Sequence, residues 1–237
     1  MRKFVIGTAE SFKEFEGRNG HISGFTPFHG VEASCLDLED AERQFLVSEG
    51  CGLDGGVIAH ALSHVALWGL IAEGEEPALI FESGATLCCN FEEERERLTG
   101  LLPREWDIVV LGSNCQSVLQ YQLDSGLMLT LAVASEQDHK KKQEAFSSQE
   151  VSSSLFKLVQ TLSPCGYMVT PVGAKALIQS ILPLQPVSVV LVCSGGSQVI
   201  AESLDVMLNC YYVRLRSFAA FPPLCLLPDV ATISVNG

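Results

Sequence analysis

Positive charge is scarce in this chain: its 237 residues hold 15 Lys and Arg against 28 Asp and Glu, a formal net charge of −13 at pH 7. That balance argues against nucleic-acid binding, because no basic surplus is available to neutralise phosphates. The one basic run, Lys140 to Lys142, reads as a solvated loop. No apolar run is read as reaching the roughly 18 residues that cross a bilayer. After Met1-Arg2-Lys3 only Phe4, Val5 and Ile6 precede Gly7, which is too short for a secretory signal. The nine cysteines contain no CxxC pair, so a reduced, cytoplasmic protein is expected, its thiols acting as small core hydrophobes. Neither a dinucleotide fingerprint, a P-loop, a G-x-S-x-G elbow nor an internal repeat occurs.

What is present suits a core. Hydrophobic residues make up 47% and charged residues 18%, which opposes disorder, and the length fits a single domain over residues 1–237. Strand-like runs fall at residues 3–6, 29–33, 77–81, 106–111, 127–134, 187–192 and 211–215. Helical spacing covers 37–48, 91–102, 174–181 after Pro171, and 198–208. Asp54 can cap a helix reaching about residue 73, with apolar residues on nearly every face, so that helix should be buried. Residues 135–154 turn polar and read as a loop or lid. The alternation over the first 112 residues predicts an α/β sandwich on a mostly parallel sheet.

The densest stretch is Gly55 to Ala85, a buried helix and then an apolar strand that delivers Glu82 to its C-terminal end. In open α/β sheets that end is where ligands sit. Ser63, His64 and Trp68 on the helix, followed by the strand ending Glu82-Ser83-Gly84, resemble glycosyltransferase family 25. Trp106, Asp107 and Leu111, then Gly166 and Tyr167, then Gly173 and Ala174, and finally Pro222-Pro223-Leu224 extend the resemblance in order. Where the family has Glu-Asp-Asp this chain has Glu82, Ser83 and Gly84, and where it has Pro-Val-Asp this chain has Pro186, Val187 and Ser188.

The resemblance implies a GT-A-type, Rossmann-like sandwich and inverting transfer of a hexose, galactose or glucose, from a nucleotide sugar such as a UDP-hexose to a glycan or protein acceptor. It also implies lipopolysaccharide biosynthesis as a setting. A departing diphosphate develops charge that a divalent Mn or Mg ion on Asp ligands normally stabilises, and the acceptor hydroxyl needs a carboxylate for its proton. Two lost acids put that ion in doubt. The alternatives are a transferase with another device for the diphosphate, for which Arg18, Arg214 and Arg216 are candidates, or a degenerate fold used as a binding or scaffolding module. By the same resemblance Glu82 and Asp107 take the catalytic roles. Gly7, Thr8, Ser63, His64, Ser83, Gly166 and Tyr167 take the substrate.

Blander readings stand beside these. Asp107 at a strand start is more usually a satisfied structural acid, and Tyr167 a core or cleft wall. His60 and His64 are four apart, but no Glu follows His60 as a zinc-protease helix requires, so both read as packed histidines. Ser194-Gly195-Gly196-Ser197 between a strand and a helix could cradle a phosphate, although a simple turn is the commoner outcome. Ser63 and His64 are no nucleophile–base pair, because adjacent helical residues point about 100° apart.

Overall fold

The computed structural model describes residues 1–114, 117–132, 145–192 and 195–227. Its strands are β1 (Arg2–Ile6), β2 (Phe25–Phe28), β3 (Ala78–Glu82), β4 (Thr86–Leu87), β5 (Ile108–Asn114), β6 (Val118–Gln122), β7 (Met128–Ala132), β8 (Ser154–Thr161), β9 (Pro164–Val169), β10 (Val187–Val190), β11 (Gln198–Ala201), β12 (Ser217–Phe221) and β13 (Cys225–Leu227). Its helices are α1 (Ala9–Arg18), α2 (Leu38–Arg43), α3 (Gly55–Ala72), α4 (Phe91–Leu101), α5 (Pro171–Ile181) and α6 (Leu204–Leu208). An eleven-stranded sheet runs β2-β1-β3-β9-β5-β12-β8-β6-β7, with β13 and β4 added beside β5. β10 and β11 form a separate hairpin.

Along the main path β2, β1, β3, β5, β12 and β6 point one way and β9, β8 and β7 the other. Most strands therefore share a direction, as the sequence predicts, but the pairings are mixed. The decisive feature is β9, antiparallel between β3 and β5, which sets Tyr167 opposite Ile80 and Val110.

Period-two alternation divides the core into two layers. Phe4, Ile6, Ile80, Val110 and Tyr167 face α3, α5 and α6, whereas Val5, Leu79, Phe81, Val109 and Met168 face α1 and α4. Between the layers the sheet is covered on both faces, which is why β3 and β5 read as continuous apolar runs. α3 is long and apolar enough to span a membrane, contrary to the reading that no run reaches that length. Here it is a core helix. Leu67, Trp68 and Ile71 are fully buried, and each such side chain contributes about 1.5–3 kcal/mol by leaving water. Asp54 accepts from the Gly56 amide at 2.8 Å and fixes its start, as read from the sequence.

Several expectations are corrected. The second strand is Phe25–Phe28 rather than 29–33, with Pro27 tolerated because β2 pairs only with β1. α1 is unforeseen: its sequence is polar, and it is held by Phe15 against Phe25 and Phe81. Residues 37–48 form a helix only over Leu38–Arg43. Residues 198–208 divide into β11 and α6, and residues 211–215 are turns, the strand lying at Ser217–Phe221. The C-terminal part of the described chain supplies two strands, β12 and β13. In the polar stretch 135–154, the part up to residue 144 lies outside the described residues, as do Lys140 to Lys142. The remainder of that stretch is anchored: Phe146 and Val151 are buried, and Asn90 bonds both the amide and the carbonyl of Val151 at 2.9 Å.

Candidate functional site at the carboxyl edge of β3

β1 and β3 end level, Ile6 beside Glu82, so Gly7-Thr8 and Ser83-Gly84 leave the sheet side by side. The Ser83 amide donates to the Ile6 carbonyl at 3.2 Å. A Cβ on Gly7 would lie 2.8 Å from that of Ser83, so only glycine permits this approach. Thr8 caps α1 through the Ser11 amide at 3.2 Å, which brings the positive end of a helix dipole to the same edge.

Glu82 points toward α3, on whose facing side His60, His64 and Trp68 recur at every fourth residue. Glu82 Oε1 lies 3.0 Å from His64 Nε2 and 3.3 Å from His60 Nε2. On its other nitrogen, His64 Nδ1 meets the Tyr167 hydroxyl at 2.8 Å, and that hydroxyl also accepts from Trp68 Nε1–H at 2.8 Å. Trp68 can only donate, so the Tyr167 proton is free to go to His64 Nδ1 and the remaining His64 N–H to Glu82. The chain of bonds is then complete with a neutral His64.

Electrostatics agrees with that assignment. Burial holds the His64 imidazole below its ordinary pKa despite the carboxylate beside it. His60, half-exposed, is raised chiefly by its hydrogen bond to Glu82. Burial alone would raise Glu82, but the hydrogen bonds from His60 and His64 outweigh it and keep the carboxyl far below the usual range. An acid held that low is ionised at neutral pH and is a weak proton acceptor, since an efficient base titrates near the working pH. Glu82 is thus suited to holding a cation or a donor group more than to deprotonating an acceptor.

The other candidates have different surroundings. Ser63 is buried, donates to the Ala59 carbonyl at 2.7 Å and accepts from the Val31 amide at 2.8 Å, which ties the 29–31 loop to α3. Gly166 is a packing position, where a Cβ would come within 2.5 Å of Cys225 Sγ. The structure does not bring Asp107 to Glu82. Ile108 and Ala78 both pair with Val169, so Asp107 lies at the opposite end of the sheet, offset roughly 13–17 Å along the strand direction at about 3.3 Å per residue. There it binds the Arg216 guanidinium at 2.7 and 3.0 Å and the Arg216 amide at 2.9 Å, a structural ion pair.

Of the three arginines, Arg18 is the one at the site, donating to the Ser83 carbonyl. Gly195 and Gly196 take positive φ in the loop joining β10 to β11, and the strand after that loop removes the helix a phosphate cradle would need. Ser194 lies outside the described residues. A surface hollow of about 600 Å³ lined by Glu39, Glu42, Arg43 and Pro183, among others, shares no residue with the Glu82 edge.

A family model described as glycosyltransferase family 25 (LPS biosynthesis protein) matches residues 13–190, about three quarters of the chain. The chain belongs to glycosyltransferase family 25. The matched span includes α3, β3 and β9, and so every member of the Glu82 network. No curated protein matches. Among solved structures, one titled as a putative glucose-1-phosphate thymidylyltransferase from Bacillus anthracis in complex with a sucrose is similar at a TM-score of 0.38 and 11% identity, over 98% of this chain and 87% of that one. Similarity at that level bears on neither fold nor chemistry.

Membership of family 25 raises the question of the Mn or Mg ion. The residues at the turn do not fit a hard cation. Ser83 offers a neutral hydroxyl, its carbonyl is engaged by Arg18, and the place of a side chain at Gly84 is filled by Leu227, whose Cδ1 lies 2.6 Å from a built Cβ. One carboxylate remains, and one of its oxygens is shared by two imidazoles. Sequence reasoning ranks His60 with packed residues and assigns Trp68 no part in the chemistry. The signal available is their spacing with His64 on a single helix face.

Proposed function

We propose that this family 25 member binds a nucleotide sugar, of the UDP-hexose class, at the edge formed by Gly7, Thr8, Glu82 and Ser83, and transfers the hexose to a glycan or protein acceptor in lipopolysaccharide-type biosynthesis. A GT-A-like division of labour and a cytoplasmic site of action belong to the same proposal. The observation that carries it is the level ending of β1 and β3, which sets an ionised, rigidly held Glu82 beside the capped start of α1. Anions bind well at helix N-termini, and the diphosphate is the anionic part of such a donor. Arg18, bonded to the Ser83 carbonyl, supplies a fixed positive charge next to the turn. Calorimetry with UDP-galactose and UDP-glucose tests the reading. Heat that disappears in Glu82→Ala supports it, and no heat with either donor sinks it.

A second reading is a binding module that has lost transfer, favoured by Leu227 packing where a family acid would stand. Product formation separates the two, because turnover of a nucleotide sugar by the wild type eliminates the module. Ser83→Asp is the cleaner restoration, since Gly84→Asp must first displace Leu227.

A further inference from the structure

We infer that His60, His64 and Glu82 form a site for a borderline divalent transition metal of the Zn²⁺ type, in place of the hard cation that acidic ligands would select. The inference stands on the geometry of these side chains and does not require the transferase reading. Their three ligand atoms all lie within 4.8 Å of one another, with separations of 3.0 and 3.3 Å from Glu82 Oε1 to the two Nε2 atoms. A tetrahedral ion with bonds of about 2.0–2.1 Å has ligand–ligand edges of about 3.3–3.4 Å. Two edges are therefore nearly in place, and the third closes by a turn of the half-exposed His60 ring.

Ligand chemistry selects the metal. Two imidazoles and one carboxylate suit zinc, whereas magnesium asks for oxygen ligands in an octahedron. Two imidazoles with one glutamate also form the three-ligand set of catalytic zinc sites, leaving the fourth position open. That position would lie at the sheet's carboxyl edge, where β3 ends at Glu82. The outer shell is built as well. Ligating histidines have their second nitrogen held by a partner that fixes the ring, and His64 Nδ1 has the Tyr167 hydroxyl at 2.8 Å, itself fixed by Trp68. Binding at each Nε2 needs that nitrogen unprotonated, so His64 shifts its single proton from Nε2 to Nδ1, where the Tyr167 oxygen accepts it instead of donating.

The test is calorimetry of the whole chain with ZnCl₂, MnCl₂ and MgCl₂, paired with the visible absorption of bound Co²⁺. One equivalent of Zn²⁺ is expected, at least tenfold tighter than Mn²⁺ or Mg²⁺, with a Co²⁺ band of low-coordinate nitrogen–oxygen character. His60→Asn changes a half-exposed residue and should fold; it is expected to lose the band and most of the affinity. Tyr167→Phe keeps all three ligands and should weaken binding by about 10- to 100-fold, the usual effect of losing an outer-shell partner. Zn²⁺ affinity unchanged in His60→Asn would assign the ion to thiols such as the exposed Cys35 and Cys89 and would overturn the inference, as would preference for Mn²⁺. UDP-hexose binding without Zn²⁺ binding would refute this site alone, and the reverse would refute only the donor site.

Discussion

Two tyrosines provide a sharp test of the bonding network, because the same substitution at each should act in opposite directions. Tyr167 and Tyr121 are both buried, at 5% and 0% exposure. The Tyr167 hydroxyl serves Trp68 Nε1 and His64 Nδ1 at 2.8 Å each, while the Tyr121 hydroxyl has no partner among the described residues. Tyr167→Phe therefore strands two buried polar groups, each costing about 1–3 kcal/mol. Taking about 3 kcal/mol in all, the melting temperature should fall by roughly 6–12 °C for a chain of this size. Tyr121→Phe removes a hydroxyl that gave up its water for nothing, and its ring remains stacked on Phe156 at 5.0 Å. That variant should melt at or above the wild-type temperature. Differential scanning calorimetry of the two single variants and the double measures both signs. The reasoning fails if Tyr167→Phe melts with the wild type, or if both variants lose equal stability.

Positions elsewhere in the sheet carry three further expected outcomes. Burial would raise Asp107, but its bonds to the Arg216 guanidinium and amide hold it below the usual range. Its contribution is therefore complete above the unfolded Asp pKa of about 3.9 and is lost as pH falls from there through the lower folded value. Asp107→Asn should lower stability at neutral pH and flatten that acid limb in urea titrations, while leaving UDP-hexose binding unchanged; reduced donor affinity in a folded variant would return Asp107 to the site. Gly112→Ala should not fold, since its Cβ would meet the Cys225 carbonyl oxygen at 1.9 Å, and soluble folded protein would contradict the β5–β13 packing. Gly69→Ala, within α3 and facing open space, should stabilise by about 1 kcal/mol in the same melts.

Local signals made much of the scaffold legible. β1, β3 and β5 announce themselves as apolar runs because both faces of the sheet are covered, and α3 announces itself by an Asp cap and an apolar body. Elements whose stability comes from tertiary contact were harder to see. α1 has one buried residue, Phe15, and its polar remainder gives no helical stripe. β2 contains a proline that reads as a breaker until its edge position is known. Reading residues 198–208 as one helix passes over the β-branched Val199 and Ile200, which favour a strand; Val199 and Ala201 pair with Val189 and Val187, and only the part from Leu204 is helical.

The site divides along the same line, between groups held in one helix–strand unit and a group that the fold brings in from far along the chain. Glu82 at a strand end and His64 on the facing helix are readable because they lie 18 residues apart in one strand–helix unit. Tyr167 is 103 residues from His64, and only the antiparallel insertion of β9 beside β3 brings its hydroxyl to the imidazole. Without that strand His64 has a loose ring and a free tautomer, and the pair His60–His64 looks like an incomplete protease motif. With it, the ring is fixed at one nitrogen and its other nitrogen is aimed at Glu82. Along the chain, the missing acids at positions 83 and 84 suggest loss. Across the fold, one helix face brings two imidazoles to the one acid that remains, and the inserted strand holds one of those rings through Tyr167, so the edge is chemically different without being empty of polar groups.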